Sequence, residues 1–220
     1  MFNIKAVIFD MDGTIFDTEE VYLNIIKSLM HKYGVEPTEA DLLSLVGKSA
    51  GVVIDFIKNV TGFKNVSAIT KDFASEYIIQ VETNGAKLKT GMQNLLEYLK
   101  QNDYRIAIAT SASRELLELN FNNSPLSLAD FEFALTLDDV QKTKPDKEVY
   151  EKACSKLGLS SRECLVIEDS CVGATAGLNA NCIVALVPDK EQPTPEIESR
   201  LELKFNNLNE VLNFLETNKR

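Results

Sequence analysis

The 220-residue chain has one histidine, four cysteines, six prolines and ten glycines. So little proline and glycine excludes a low-complexity or fibrous chain. Cys154, Cys164, Cys171 and Cys182 form no Cys-x-x-Cys pair and have only His31 to assist them, which argues against a zinc site. Long apolar runs are missing too. Ala6-Val7-Ile8-Phe9 stops at Asp10, too soon for a secretory h-region, and nothing approaches the roughly 20 residues that span a bilayer. The expectation is a cytoplasmic protein with free thiols. Positive charge is also scarce, with 23 Lys and Arg against 33 Asp and Glu and a net charge of −10. Duplex nucleic acid or an anionic membrane, which needs concentrated positive charge, is therefore not expected as the main partner. An anionic small molecule would have to find its positive charge locally.

What remains is ordinary globular usage, 45% hydrophobic and 25% charged, in a chain long enough for one or two domains with a real core. Short apolar runs end in polar residues: 4–9 before Asp10, 106–109 before Thr110, 133–137 before Asp138, 165–167 before Glu168 and 183–187 before Pro188. Each reads as a buried parallel strand. Helical spacing lies between them, over 93–99 and over 147–157, where it stops at Gly158. Strand and helix in alternation predict a doubly wound, Rossmann-like α/β sheet with ligands beyond the carboxyl ends of its strands.

Residues 16–87 break the alternation, with helical patterns and no convincing strand. Asp17 with Glu20 suggests a capping-box start for a helix reaching Gly34; further helices are expected from Thr38 with Asp41, from Ser49 to Gly62, and from Ser67 to Asn84. The expected organisation is a helical cap domain over 16–87 inserted into an α/β core of 1–15 and 88–220.

The strongest chemical signal is Asp10-Met11-Asp12-Gly13-Thr14 at the end of the first strand. Two carboxylates at a strand terminus, followed by a glycine that lets the chain turn, face one crevice and repel each other unless a proton or cation intervenes. Taken singly, an Asp-x-Asp is more often a solvated turn. Further strand ends supply complementary groups: Thr110 and Ser111 with a hydroxyl and amides for a phosphate oxygen, Lys144 before Pro145, and the second acidic pair Glu168-Asp169. Oxygen ligands of this kind suit Mg²⁺, which favours carboxylates together with substrate phosphate. Ser111 or Ser113 as a helix N-cap and Lys144 as a loop charge are the bland readings of those residues alone. Gly47-Lys48-Ser49 resembles the end of a P-loop but lacks its earlier glycine and strand, and Gly173 and Gly177 with Ala174 and Ala176 read as a small-residue face for close helix packing beside the site.

In order, Asp10-x-Asp12-Gly13-Thr14, Thr110, Lys144-Pro145 and Glu168-Asp169 resemble the four motifs of the haloacid dehalogenase superfamily, in particular the phosphatases and phosphomutases related to β-phosphoglucomutase, which carry a helical cap. The resemblance implies that Asp10 is a nucleophile forming an aspartyl-phosphate, and that Asp12 is a general acid and then a base. It implies Mg²⁺ held by the Asp10 side chain, the Asp12 carbonyl, Asp169 and Glu168, the last directly or through water, with Thr110, Ser111 and Lys144 on the phosphoryl group. The mutases carry a histidine after the first motif and an arginine in the cap; here those regions read Glu20-Val21-Tyr22 and Gly47-Lys48-Ser49-Ala50, which favours hydrolysis of a small phosphorylated metabolite over transfer, although Lys48 could partly substitute. A phosphorylatable receiver shares the residue types but has no cap and places its phosphorylated aspartate on a later strand. Oligomeric state is not readable, and a monomer is compatible with the chain.

Overall fold

The computed structural model describes residues 2–45, 50–189 and 192–218, and the chain divides into two compact units, Met1–Asp17 with Lys87–Arg220, and Thr18–Ala86. The first unit opens with β1 (Ala6–Phe9), leaves for the second, and returns through α5 (Met92–Gln101), β2 (Arg105–Ala109), α6 (Arg114–Asn122) and β3 (Phe133–Leu135). It continues with α7 (Glu148–Leu157), β4 (Cys164–Glu168), α8 (Cys171–Asn179) and β5 (Ile183–Leu186). A short α9 (Pro195–Glu198), β6 (Leu203–Lys204) and α10 (Leu208–Thr217) complete it.

The six strands are parallel in the order β3-β2-β1-β4-β5-β6, so the chain builds outward from β1 in one direction and from β4 in the other. Helices cover both faces of such a sheet, which is why β1 and β4 are buried along their whole length and read as apolar runs, in β4 up to Glu168. The reversal between β1 and β4 opens a crevice at their carboxyl ends.

Several boundaries differ from the sequence reading for local reasons. β3 stops at Leu135 rather than 137 because Thr136 and Asp139 close a 3₁₀ turn, Asp139 Oδ2 accepting from the Thr136 amide at 2.8 Å and hydroxyl at 2.9 Å. Pro145 follows a cis peptide bond and lies before the N-cap of α7, Lys147, rather than at the helix start. β6, two residues long, is too short to leave a pattern. Among the described residues no helix is long and apolar enough to cross a membrane, and all four cysteines are free thiols.

The second unit contains α1 (Glu19–Lys32), α2 (Glu39–Leu45), α3 (Ala50–Thr61) and α4 (Val66–Asn84). Ile69, Phe73, Tyr77 and Val81 repeat every fourth residue on α4 and are buried with Ile25, Ile26, Leu29 and Met30 of α1 and Val53 and Ile57 of α3. The helix start expected at Asp17 with Glu20 falls one residue later, and the Glu20 side chain lies outside the described residues. Thr18 is the N-cap, without a side-chain bond, and the Asp17 amide donates instead to the Lys87 carbonyl at 2.8 Å, beside a bridge between Phe16 and Leu88. Asp17 thus belongs to the paired backbone of the first unit and cannot also start α1. The box expected from Thr38 with Asp41 does form, with the Thr38 amide donating to Asp41 Oδ2 at 2.9 Å and Thr38 Oγ1 accepting from the Asp41 amide at 3.1 Å.

Candidate active site

Three adjacent strands deliver the acidic and hydroxyl residues to one crevice. Asp10 follows β1, Thr110 follows β2, and Glu168 ends β4 with Asp169 next to it. The ladder continues one residue past β1, β2 and β5, with the Asp10 amide donating to Ile167 O at 3.0 Å, Thr110 to Leu135 O at 2.9 Å and Val187 to Glu168 O at 2.7 Å. Backbone pairing therefore fixes where these side chains begin.

Lys144, from the loop after β3, crosses into the same place. Its ammonium donates to Asp10 Oδ1 at 2.6 Å, Glu168 Oε1 at 2.7 Å and the Ala109 carbonyl at 2.9 Å, which uses all three of its protons. Glu168 Oε1 also accepts from the Tyr150 hydroxyl at 2.6 Å, and Oε2 accepts from Ser170 Oγ at 3.1 Å. Two glycines permit this density of groups. A Cβ at Gly173 would overlap the Glu168 carboxyl, and one at Gly13, whose φ is 79°, would overlap the Asp169 carboxyl. The small-residue face of α8 is thus what lets its N-terminal turn close on Glu168.

Thr110 is buried, and its hydroxyl accepts from the Ala112 amide at 3.0 Å; Ser111 beside it is exposed. The N-cap of α6 is Ser113, not Ser111, with Ser113 Oγ accepting from the Leu116 amide at 3.3 Å. The Thr14 hydroxyl is buried with no hydrogen-bond partner among the described residues. Lys48 and its neighbours Gly47 and Ser49 lie outside the described residues, whereas Tyr22 packs its ring against Phe73 and Tyr77 at 5.5 and 6.0 Å.

One lysine faces four carboxyls, and the imbalance appears in their acidity. Burial pushes Asp10 up to about 8 in spite of the opposing pull of Lys144, with Glu168 and Asp12 adding repulsion. Burial likewise raises Asp12 to about 6, and it holds Asp169 far above the usual carboxylate range, reinforced by the charges of Asp10 and Glu168. Lys144 is raised by Asp10 and Glu168 against the cost of its own burial and stays cationic. Carboxyl oxygens of Asp10, Glu168 and Asp169 lie within 4.8 Å of one another, an all-oxygen set that fits a hard divalent cation. The Asp12 side chain is not part of that trio. A cation would offset the burial and the repulsion that otherwise favour protons on Asp10 and Asp169.

The pattern shared by the haloacid dehalogenase-like hydrolases matches residues 7–187. The chain belongs to this family. Hexitol phosphatase A of Escherichia coli is 28% identical over 208 residues, spanning 94% of this chain and 93% of that protein. Pyrophosphatase PpaX of Bacillus cereus is 27% identical over 192 residues, spanning 84% and 83%. The crystal structure of a Thermotoga maritima protein, provisionally named a β-phosphoglucomutase, superposes with a TM-score of 0.83 at 25% identity and covers 98% of this chain and 100% of that one. This haloacid dehalogenase-like hydrolase is accordingly an enzyme of the phosphoric monoester hydrolase type, and the receiver alternative falls away.

Three members of the polar network do not show their role in the sequence. Tyr150 sits on the apolar stripe of α7, where a phenol is indistinguishable from core packing; Ser170 is the N-cap of α8, donating to Glu168 while Oγ accepts from the Gly173 amide at 3.0 Å. The third, the carbonyl of Ala109, carries no side-chain signal at all.

Proposed function

We propose that this protein is a Mg²⁺-dependent phosphatase that hydrolyses a small phosphorylated metabolite, such as a sugar phosphate, through an aspartyl-phosphate on Asp10. The observation that carries the reading is the contact of Asp10 with Lys144 at 2.6 Å inside the buried acid cluster at the carboxyl end of β1. Asp10 with Asp169 and the Asp12 carbonyl, and Glu168 directly or through water, would hold the metal, which supplies positive charge opposite the phosphoryl oxygens.

An Asp10 carboxylate oxygen attacks phosphorus, an O–P bond forms, and the bond to the leaving alcohol breaks as Asp12 delivers a proton to that oxygen. A value raised to about 6 leaves Asp12 enough protonated form near neutrality for this task and enough basicity for the next. Water then attacks the aspartyl-phosphate, Asp12 takes its proton, and the acyl-phosphate O–P bond breaks to return Asp10 and inorganic phosphate. Thr110, the Ser111 amide and Lys144 hold the phosphoryl oxygens, where positioning and preorganised charge account for most of the acceleration. The helical unit, residues 16–87 in the sequence reading, acts as a cap that selects the leaving group. The two named curated relatives act on different phosphate compounds at nearly equal identity, so overall similarity does not choose the substrate.

The test is phosphate release across phosphorylated sugars, glycolate, glycerol and nucleotides, with Asp10→Asn as control. Turnover should vanish in a variant whose circular dichroism is unchanged; hydrolysis surviving in pure Asp10→Asn would defeat the assignment. A second reading, phosphosugar mutation, is favoured by the likeness to the Thermotoga protein. Incubation of a hexose 1-phosphate with trace bisphosphate distinguishes them, since a mutase yields the 6-phosphate and a phosphatase yields free phosphate.

A further inference from the structure

The Lys144 ammonium has to be aimed as well as charged, and Asp10 is not the only group that holds it. Glu168 Oε1 receives both the Lys144 ammonium at 2.7 Å and the Tyr150 hydroxyl at 2.6 Å. Tyr150 has no exposed surface, and its ring lies 4.9 Å from Lys144 Nζ. A buried phenol without a partner is costly, and an aliphatic or phenylalanine side chain would fill a core position on α7 without that cost. The hydroxyl is therefore matched to Glu168 rather than to packing.

We propose that Tyr150 is a positioning residue that sets the direction of the Lys144 ammonium by anchoring Glu168 from below. This rests on the assignment of Lys144 to the phosphoryl group. With the phenol in place, Glu168 Oε1 divides its charge between two donors, Oε2 is tied to Ser170, and the ring face closes the space into which the ammonium would retreat. When substrate arrives, the ammonium exchanges Asp10 for a phosphoryl oxygen and turns on Glu168 as a fixed pivot. Without the phenol, Glu168 Oε1 keeps Lys144 as its remaining side-chain donor and draws it more strongly, with Oε2 still on Ser170, so the ammonium is pulled toward Glu168 and away from the phosphoryl group.

The experiment uses the full chain with Mg²⁺ and p-nitrophenyl phosphate, comparing Tyr150→Phe, Glu168→Gln and the double variant, with rates expressed per folded molecule. Tyr150→Phe keeps the ring and removes the donor. Loss of one charge-assisted hydrogen bond corresponds to about a tenfold fall in kcat, with KM held within about twofold. If Tyr150 acts through Glu168, adding Tyr150→Phe to Glu168→Gln costs less than about a further twofold. Multiplying losses would assign Tyr150 to general packing and overturn the proposal, as would an unchanged kcat in Tyr150→Phe or a Tyr150→Phe chain that does not fold. Asp10→Asn separates the two levels: if it is inactive while Tyr150→Phe is normal, the positioning role alone fails, and if it is active the assignment of the site fails first.

Discussion

Each unit of the molecule contains a tyrosine hydroxyl and a lysine ammonium sharing one carboxylate oxygen. In the helical unit, Asp72 Oδ2 accepts from Tyr33 at 2.7 Å and from Lys32 at 2.7 Å; in the α/β unit, Glu168 Oε1 accepts from Tyr150 at 2.6 Å and from Lys144 at 2.7 Å. The distances are nearly equal and the surroundings are not. Lys32 and Asp72 side chains are 55% and 25% exposed, against 5% and 1% for Lys144 and Glu168. The hydrogen bonds from Lys32 and Tyr33 hold the partly exposed Asp72 carboxyl below its ordinary value, whereas burial drives Asp10 and Asp169 upward beside Lys144. The same chemical trio is a solvated ornament of a helix pair in one place and part of a charge trap in the other. What separates them is the water removed by the sheet and its covering helices.

The largest expected effect lies at the most crowded acid. Asp10→Asn should lower phosphate release by at least about 10³-fold, as loss of a nucleophile does elsewhere, with the fold retained. Lys144→Ala should follow at about 10²–10³-fold, in the range for removing one preorganised charge. It should also destabilise the protein by roughly 3–5 kcal/mol, because Asp10 and Glu168 would be left buried without their cation. Denaturant midpoints of the two variants would show the contrast directly: a Lys144→Ala protein as stable as the parent would mean that water reaches the cluster.

In the helical unit the equivalent energy resides in packing. Ile69 is fully buried on α4, and Ile69→Ala should cost about 2–5 kcal/mol of stability while leaving the rate per folded molecule within about twofold. A variant that keeps its stability but loses turnover would break the separation of roles between the units.

The raised acids also set a pH dependence. Asp10 titrates near 8 and Asp12 near 6 in the folded chain, against 3.8 ordinarily, so the folded state binds more protons than the unfolded one across that interval. The metal-free protein should therefore be most stable at the acid end, near pH 5, and lose stability as pH rises toward 8. A divalent cation that favours the ionised acids should flatten the curve, since binding to the folded state alone adds stability. Urea titrations at both pH values, in chelator and in excess Mg²⁺, check the sign; a midpoint rising with pH in chelator would contradict the repulsion inferred among the carboxyls.

Much of this architecture could be read from the chain because buried parallel strands are written as short apolar runs, and the residue after each run is where the crevice opens. Asp10, Thr110 and Glu168 were legible for that reason. Lys144 was legible only as Lys144-Pro145 within the ordered set of motifs, since a lone lysine before a helix reads as a loop charge; that helix starts at Glu148. What was hidden is contact across the sheet: that Tyr150 meets Glu168, that Gly173 must be bare to admit the same carboxyl, and that Asp17 is held by Lys87 instead of opening α1. None of these follows from spacing, because each depends on two segments brought together by the fold.

The smallest effect is the control that gives the comparison its meaning. Lys32→Ala removes a partner of Asp72 at a distance equal to that between Lys144 and Glu168, so a view in which distance decides strength would assign the two lysines similar weight. Lys32 instead ends α1 in contact with water, Asp72 keeps the Tyr33 hydroxyl, and the ion pair competes with solvation and with the entropy of a long side chain. The expected change in stability is at most about 0.5–1 kcal/mol, shrinking further in high salt, with turnover unaffected. A Lys32→Ala loss approaching that of Lys144→Ala in matched denaturant titrations would show that burial is not what distinguishes the two trios, and the case for a desolvated charge site at the end of β1 would weaken with it.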